Sequence, residues 1–266
     1  MPGSSRRDVL RSVTGAVGLA ASACTAGCGR AAPARPAEHR SAAAHSPHPT
    51  EKAVSPRRAP MPERFPGLPA QIAHGPRDGR AVALTFHGQG DPSLAESVLS
   101  EAERAGARLT VLAVGTWLGR YPDMARRVLA GGHELGNHTM RHEAICSLPA
   151  DAAYAEITEC ADRLRRLTGG IGSWFRPSQA RTATDEVVRL ARRAGYPHVL
   201  SYDVDSHDYQ DPGARAVREN VLGQVRAGSV VSLHFGHDGT RAALPAILDG
   251  LHERGLRAVT TTELMA

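Results

Sequence analysis

From Ala81 to the C-terminus the chain alternates short apolar runs with amphipathic segments, and most runs end in a polar residue. The apolar runs are Ala81–Phe86, Arg108–Val114, Glu134–His138, Trp174–Arg176, His198–Val204, Ser229–His234 and Arg257–Thr261. Helical patterns separate them at Ser93–Ala105, Trp117–Leu129, Ala150–Leu167, Thr184–Ala194, Pro212–Ala227 and Arg241–Arg254. Ser93 followed by Glu96 reads as a capping box, Pro122 interrupts the second helix, and Pro212 stands near the start of another, where its missing N–H costs little. Apolar strands alternating with helices are the signature of parallel β/α units, whose strands are buried on both faces. About seven such units predict an α/β fold, a distorted (β/α) barrel. The alternative is an open doubly wound sheet, but no glycine-rich phosphate loop follows the first strand.

The polar residues fall where the strands end. His87 follows the first, His138 the third and Arg176-Pro177 the fourth. Asp203, Asp205 and Asp208 follow the fifth, and His234 the sixth. In β/α barrels the strand C-termini share one mouth, where sites are assembled. His138-Thr-Met-Arg-His142 is the sharpest local signal. A spacing of four puts two imidazoles on one side of a helical turn, close enough to share a cation, and neutral imidazole is a good Zn²⁺ ligand.

At these residues the sequence resembles the polysaccharide deacetylases of carbohydrate esterase family 4, the NodB-homology domain, over about Ala81 to Met265. Five motifs stand in the family's order. Thr85-Phe86-His87-Gly88 partly matches Thr-Phe-Asp-Asp, and Gly136-Asn137-His138-Thr139-Met140-Arg141-His142 matches His-Ser/Thr-x-x-His. Phe175-Arg176-Pro177-Ser178-Gln179 matches the first half of Arg-Pro-Pro-Tyr. Asp203-Val204-Asp205-Ser206-His207-Asp208-Tyr209 approximates Asp-x-x-Asp-Trp, and Leu233-His234 matches Leu-x-His. The resemblance implies metal-dependent hydrolysis of N- or O-acetyl groups on a glycan. His138 and His142 would hold a divalent metal, with Zn²⁺ the first expectation, and His234 would be the general acid. Arg176 would orient the base, with Asp205 also at the catalytic mouth.

Two substitutions set this chain apart. His87 stands where the family has its base Asp, and Gly88 where it has its metal-binding Asp. Imidazole can serve as a base near neutral pH, and it can equally serve as the third ligand. Asp91, between flexible glycines and a helix, is another carboxylate that could complete the metal set, with His207 and His237 more distant. The remaining alternative is a catalytically inactive lipoprotein that binds glycan in the same groove.

The first residues carry a targeting pattern. Ser5-Arg6-Arg7-Asp8-Val9-Leu10 is a twin-arginine sequence, and an apolar run from Val13 to Ala23 follows, too short for a permanent membrane helix. Thr25-Ala26-Gly27-Cys28 resembles a lipobox, with Ala21-Ser22-Ala23-Cys24 a poorer version; secretion with cleavage near Ala23 is the alternative. Residues 1–28 are thus read as a signal peptide of an exported protein, held at the outer face of the membrane by lipid or freely secreted. Gly29–Pro62 holds seven prolines and no apolar periodicity, the composition of a disordered tether, and residues 63–266 form the domain. The basicity lies in the same leader and tether. Residues 1–62 carry nine Lys or Arg against three acids, a net +6, while the whole chain is +5, so 63–266 is about −1. That balance argues against nucleic acid as a partner. Outside the cytoplasm Cys146 and Cys160 could pair as a disulfide or stay as separate thiols.

Overall fold

In a computed structural model the described residues are 59–266; the leader and nearly all of the expected tether lie outside them. The chain enters at Ala59, which is buried and donates its N–H to Thr168 O at 3.3 Å, ahead of the expected domain boundary at 63. A short strand β1 (Gln71–Ile72) precedes the long strand β2 (Ala81–Gly88). Then come α1 (Pro92–Arg104), β3 (Thr110–Ala113), α2 (Gly115–Arg120), α3 (Asp123–Ala130), β4 (Glu134–Asn137) and α4 (Ala150–Thr168). The remainder is α5 (Asp185–Arg193), β5 (Val199–Leu200), β6 (Val204–Asp205), α6 (Ala214–Gln224), β7 (Val230–His234), α7 (Asp238–Glu253), β8 (Arg257–Val259) and α8 (Thr261–Met265).

Every pairing between named strands is parallel. The main sheet runs β4-β3-β2-β7-β6, and β8 pairs with the start of β2. Bridges from Asn137 to Phe175 and from Phe175 to Val199 carry the wall on to β5 and β1. His74 bridges to Ser229 at the start of β7 and brings the chain after β1 back to the sheet. Counting Phe175 and merging β5 with β6, the wall holds the seven expected strand positions plus the short β1, and forms a distorted (β/α) barrel.

Strand parity assigns the two faces. In β2, Val82, Leu84 and Phe86 pack in the large cluster with α1 and α7 residues, while Ala83 packs with Leu112, Trp174 and Val230 inside the wall. Period two therefore turns Thr85 and His87 inward. The same parity turns Ser232 and His234 of β7 inward, since Val231 and Leu233 face the helices. The β2–β7 register sets His87 beside His234. In β4, Leu135 faces the helix layer and Gly136 faces in, where a Cβ would lie 2.6 Å from Leu112 Cδ1 and 2.7 Å from Trp174 O. His138, in phase with Gly136, also turns inward. Three histidines thus reach the interior at the C-terminal end of the wall.

Several local expectations change. α1 is capped by Asp91, not Ser93: the Asp91 carboxylate accepts from Ser93 N and Ser93 Oγ, both at 2.7 Å, with Pro92 in the first turn. The strand expected at His198–Val204 breaks into β5 and β6, because Asp203 turns aside to accept from Arg77 Nη2 and Val230 N, both at 2.8 Å. α6 begins after Pro212, at Ala214. A last helix absent from the sequence reading, α8, is nucleated by a capping box between Thr260 and Glu263. Cys146 and Cys160 are free thiols; Cys160 is buried, 3.5 Å from Ala113 O.

Candidate metal centre

The His138–His142 segment is a loop, not a helical turn. Thr139 and His142 both adopt left-handed backbone angles, with φ of 67° and 63°. Such angles are costly for non-glycine residues and persist where surrounding contacts fix them. Those contacts come from three sides. Asn137 Oδ1 accepts from Thr139 N at 2.9 Å, and Gly115 N and Thr116 N donate to the carbonyls of Thr139 and Met140 at 2.9 and 2.8 Å. The loop after Phe175 clamps the opposite edge: Ser178 Oγ lies 3.0 Å from Thr139 Oγ1 and donates to Glu143 O at 2.5 Å, while Gln179 Nε2 donates to His142 O at 2.7 Å. On the third side buried Glu156 of α4 accepts from Arg141 N and Nη1, both at 2.7 Å. The loop still delivers what the spacing promised, with the His138 and His142 rings 4.9 Å apart.

His87 completes a cluster. Its ring lies 4.3 Å from that of His138 and 4.2 Å from that of His234. One ring nitrogen each from His87, His138 and His142 lies within 4.8 Å of the others. His138 is fully buried, and its Nδ1 is 3.0 Å from Arg176 O. A carbonyl can only accept, so Nδ1 carries the proton and Nε2 presents a lone pair. That Nε2 has no hydrogen-bond partner among the described residues. A buried acceptor without a partner calls for an explanation, and here two further imidazoles converge on the same spot. Burial, reinforced by His138 for His87 and by His142 for His138, holds both rings well below the ordinary imidazole value, and burial followed by His234 lowers His142. All three are therefore neutral at pH about 7, the state in which imidazole binds a metal. The donor set fits a divalent cation.

These shifts predict a pH dependence. A depressed folded value means the native state refuses protons that the unfolded chain accepts. The metal-free protein keeps its full stability above the ordinary imidazole value of 6.5 and loses it as pH falls through the lower folded values. The urea midpoint of metal-free protein should be lower at about pH 5 than at about pH 7.5. An unchanged midpoint would show that the rings are not held neutral.

The other expected site residues are placed as follows. Asp91 is exposed and occupied as the cap of α1, and it is not among the clustered donors. Arg176 is fully buried and donates from Nε to Leu200 O at 3.2 Å and from Nη2 to Ser201 O at 3.0 Å; burial pulls its guanidinium down to about 9. Asp203 pairs with Arg77, not Arg176. Asp205 accepts from His207 N at 2.9 Å and lines a cleft of about 280 Å³ with His87, His142, Tyr202, Tyr209 and His234. His237 pairs with Asp211 at 2.7 Å.

His234 is fixed by Asp208, one of the three acids that follow the fifth strand run. Asp208 Oδ1 accepts from His234 Nδ1 at 2.7 Å, and Oδ2 accepts from His234 N at 2.7 Å and Thr240 Oγ1 at 2.6 Å. Burial pushes the Asp208 carboxyl upward, but these hydrogen bonds, led by that from His234, leave it below the ordinary carboxylate range. The carboxylate fixes the His234 tautomer and leaves Nε2 as the nitrogen free to exchange protons. Gln179 and Glu156 were not singled out as positioning groups. Glu156 has a signal in the sequence, a carboxylate on the apolar stripe of α4 between Ala153 and Ile157. Gln179→Ala should lower metal affinity about 10-fold, the scale of second-layer effects on metal sites. It should cost no more than about 1.5 kcal/mol of stability. Metal titration and urea unfolding read the two separately.

Residues 74–199 match the profile of the family described as polysaccharide deacetylase. A peptidoglycan-N-acetylglucosamine deacetylase of Bacillus cereus is 31% identical over 194 residues, spanning 71% of this chain and 90% of that protein. Among solved structures, the peptidoglycan N-acetylglucosamine deacetylase Bc1960 superposes with a TM-score of 0.70 at 26% identity, covering 74% of this chain and 92% of that one. A pseudoenzyme of carbohydrate esterase family 4 from Bacillus anthracis shares the fold with a TM-score of 0.71 at 23% identity, covering 75% and 70%. The fold, the motif order and the 31% identity over 90% of a relative agree: this chain belongs to the polysaccharide deacetylase family, carbohydrate esterase family 4.

Proposed function

We propose that this protein is an exported, metal-dependent deacetylase that hydrolyses acetyl groups on a cell-envelope glycan. The observation that carries this reading is the partnerless Nε2 of buried His138, facing the same small volume as donors from His87 and His142. These three residues would hold a divalent cation, Zn²⁺ by preference for imidazole, and His87 thereby takes the place of the family's carboxylate ligand. When bound, such a cation polarises an acetyl carbonyl and lowers the pKa of water. The protein's own groups do the rest. His234, locked by Asp208, exchanges a proton through Nε2 and delivers it to the leaving nitrogen or oxygen. Arg176 fixes the His138 tautomer through its carbonyl oxygen, 3.0 Å from Nδ1, while its buried side chain adds positive charge beside His87. Asp205 borders the cleft where the sugar would sit. The twin-arginine pattern and Cys28 support export, with lipid anchoring or release as its two forms.

Purified protein, loaded with about one equivalent of Zn²⁺, should release acetate from acetylated chitooligosaccharide or peptidoglycan, and chelation should abolish the release. One observation favours a second reading, a glycan binder without turnover. Both family carboxylates are gone, and a Cβ at Gly88 would lie 3.0 Å from Ala113 Cα and from Val111 Cγ1, so a side chain at this strand end would need its neighbours to give way. Bound zinc and glycan without acetate release would establish that reading.

A further inference from the structure

The cleft that His87 and His142 border holds a cation, Arg181, with no ion-pair partner among the described residues. Arg181 lines the cleft with His87, His142, Asp205 and His234, and it is exposed yet held in place. Its Nε lies 3.3 Å from Tyr202 O, its Nη2 3.4 Å from Asp203 O, and its guanidinium 5.2 Å from the centre of the Tyr202 ring. Ser201 Oγ donates to Arg181 O at 2.6 Å and fixes the backbone. Among the described residues Arg181 makes no ion pair, and its Nη1 has no hydrogen-bond partner. The carboxylates that might have served are occupied: Asp203 by Arg77, and Asp208 by His234 and Thr240. Arg141, on the histidine loop, shows the contrast, since it pairs with both Glu156 and Glu159.

A second guanidinium deepens the imbalance. Arg176 lies 5.4 Å from the same Tyr202 ring, is fully buried, and has an Nη1 with no hydrogen-bond partner among the described residues. Asp205 is the one carboxylate that lines the cleft. Two guanidiniums thus stand against one carboxylate around Tyr202, before any metal adds its charge. A planar guanidinium steadied on an aromatic ring is pre-organised for a carboxylate and loses little freedom on binding one.

We propose that Arg181 binds a carboxylate of the substrate, so that the cleft selects an acidic acetylated glycan, whose sugar carries a carboxylate near the acetamido group, over a neutral one. This rests on the reading of the cleft as an acetylated-glycan site. The test is calorimetric binding to zinc-loaded protein, which works whether or not turnover occurs. The ligands are a tetrasaccharide of alternating N-acetylglucosamine and N-acetylmuramic acid, the same compound with its carboxylates methyl-esterified, and chitotetraose. The acid form should bind at least ~10-fold tighter than either neutral form. In Arg181→Gln that ratio should fall to about one, with zinc content unchanged. Equal affinities in the unaltered protein, or a ratio that survives in Arg181→Gln, overturn the assignment and leave the glycan reading standing. If none of the three ligands binds, the glycan reading itself fails and this inference with it.

Discussion

His138→Ala should empty the metal site: zinc content after dialysis should drop from about one per chain to near zero. Loss of groups that merely orient metal ligands costs ~10–100-fold in affinity, so loss of a ligand should exceed ~100-fold. The reason lies in the position of this side chain. His138 is fully buried, Arg176 O fixes its protonated nitrogen, and the other nitrogen has no partner among the described residues. Any acetate release should fall with the metal. His138 also packs in the interior, so His87→Ala, at the second buried ring of the cluster, serves as an independent test of the same site. Zinc retained by both folded variants would sink the three-histidine assignment.

Asp208→Asn separates catalysis from folding. The amide keeps the shape and an acceptor oxygen but can no longer offer a full negative charge to His234 Nδ1–H and Thr240 Oγ–H together. Turnover should fall by ~10²–10⁴, the usual contribution of a positioned acid or base, with zinc content unchanged. Asp208→Ala goes further and leaves His234 N, His234 Nδ1 and Thr240 Oγ1 without their common acceptor. Breaking a buried, hydrogen-bonded charge cluster costs ~3–5 kcal/mol, to be read as a lowered urea midpoint. Full activity in Asp208→Asn would remove His234 as the proton carrier.

Much of the frame was legible in the sequence, because the burial of parallel strands writes itself as apolar runs. β2 and β7 appear there almost at their observed bounds, and the polar residues that end them point to one mouth. The strand at His198–Val204 was misread because its break depends on Arg77, more than a hundred positions away, drawing Asp203 out of line. The helical turn expected at His138–His142 was misread for a similar reason. Its left-handed residues are held by Asn137, Ser178, Gln179 and Glu156, partners that only folding brings to the loop.

The sequence by itself determined the chemistry available: which strand ends carry imidazole, that His87-Gly88 leaves the first motif without a carboxylate, and that His138 and His142 are spaced to act together. The tertiary structure decided how those groups are used. It brought His87 to within 4.3 Å of His138, tied Asp91 to a helix end, and gave Asp208 to His234. The physical reason is the difference in range. Strand periodicity and residue type are local properties, whereas the tautomer of His138, the neutrality of the three rings and the unpaired charge of Arg181 depend on distant groups and on burial.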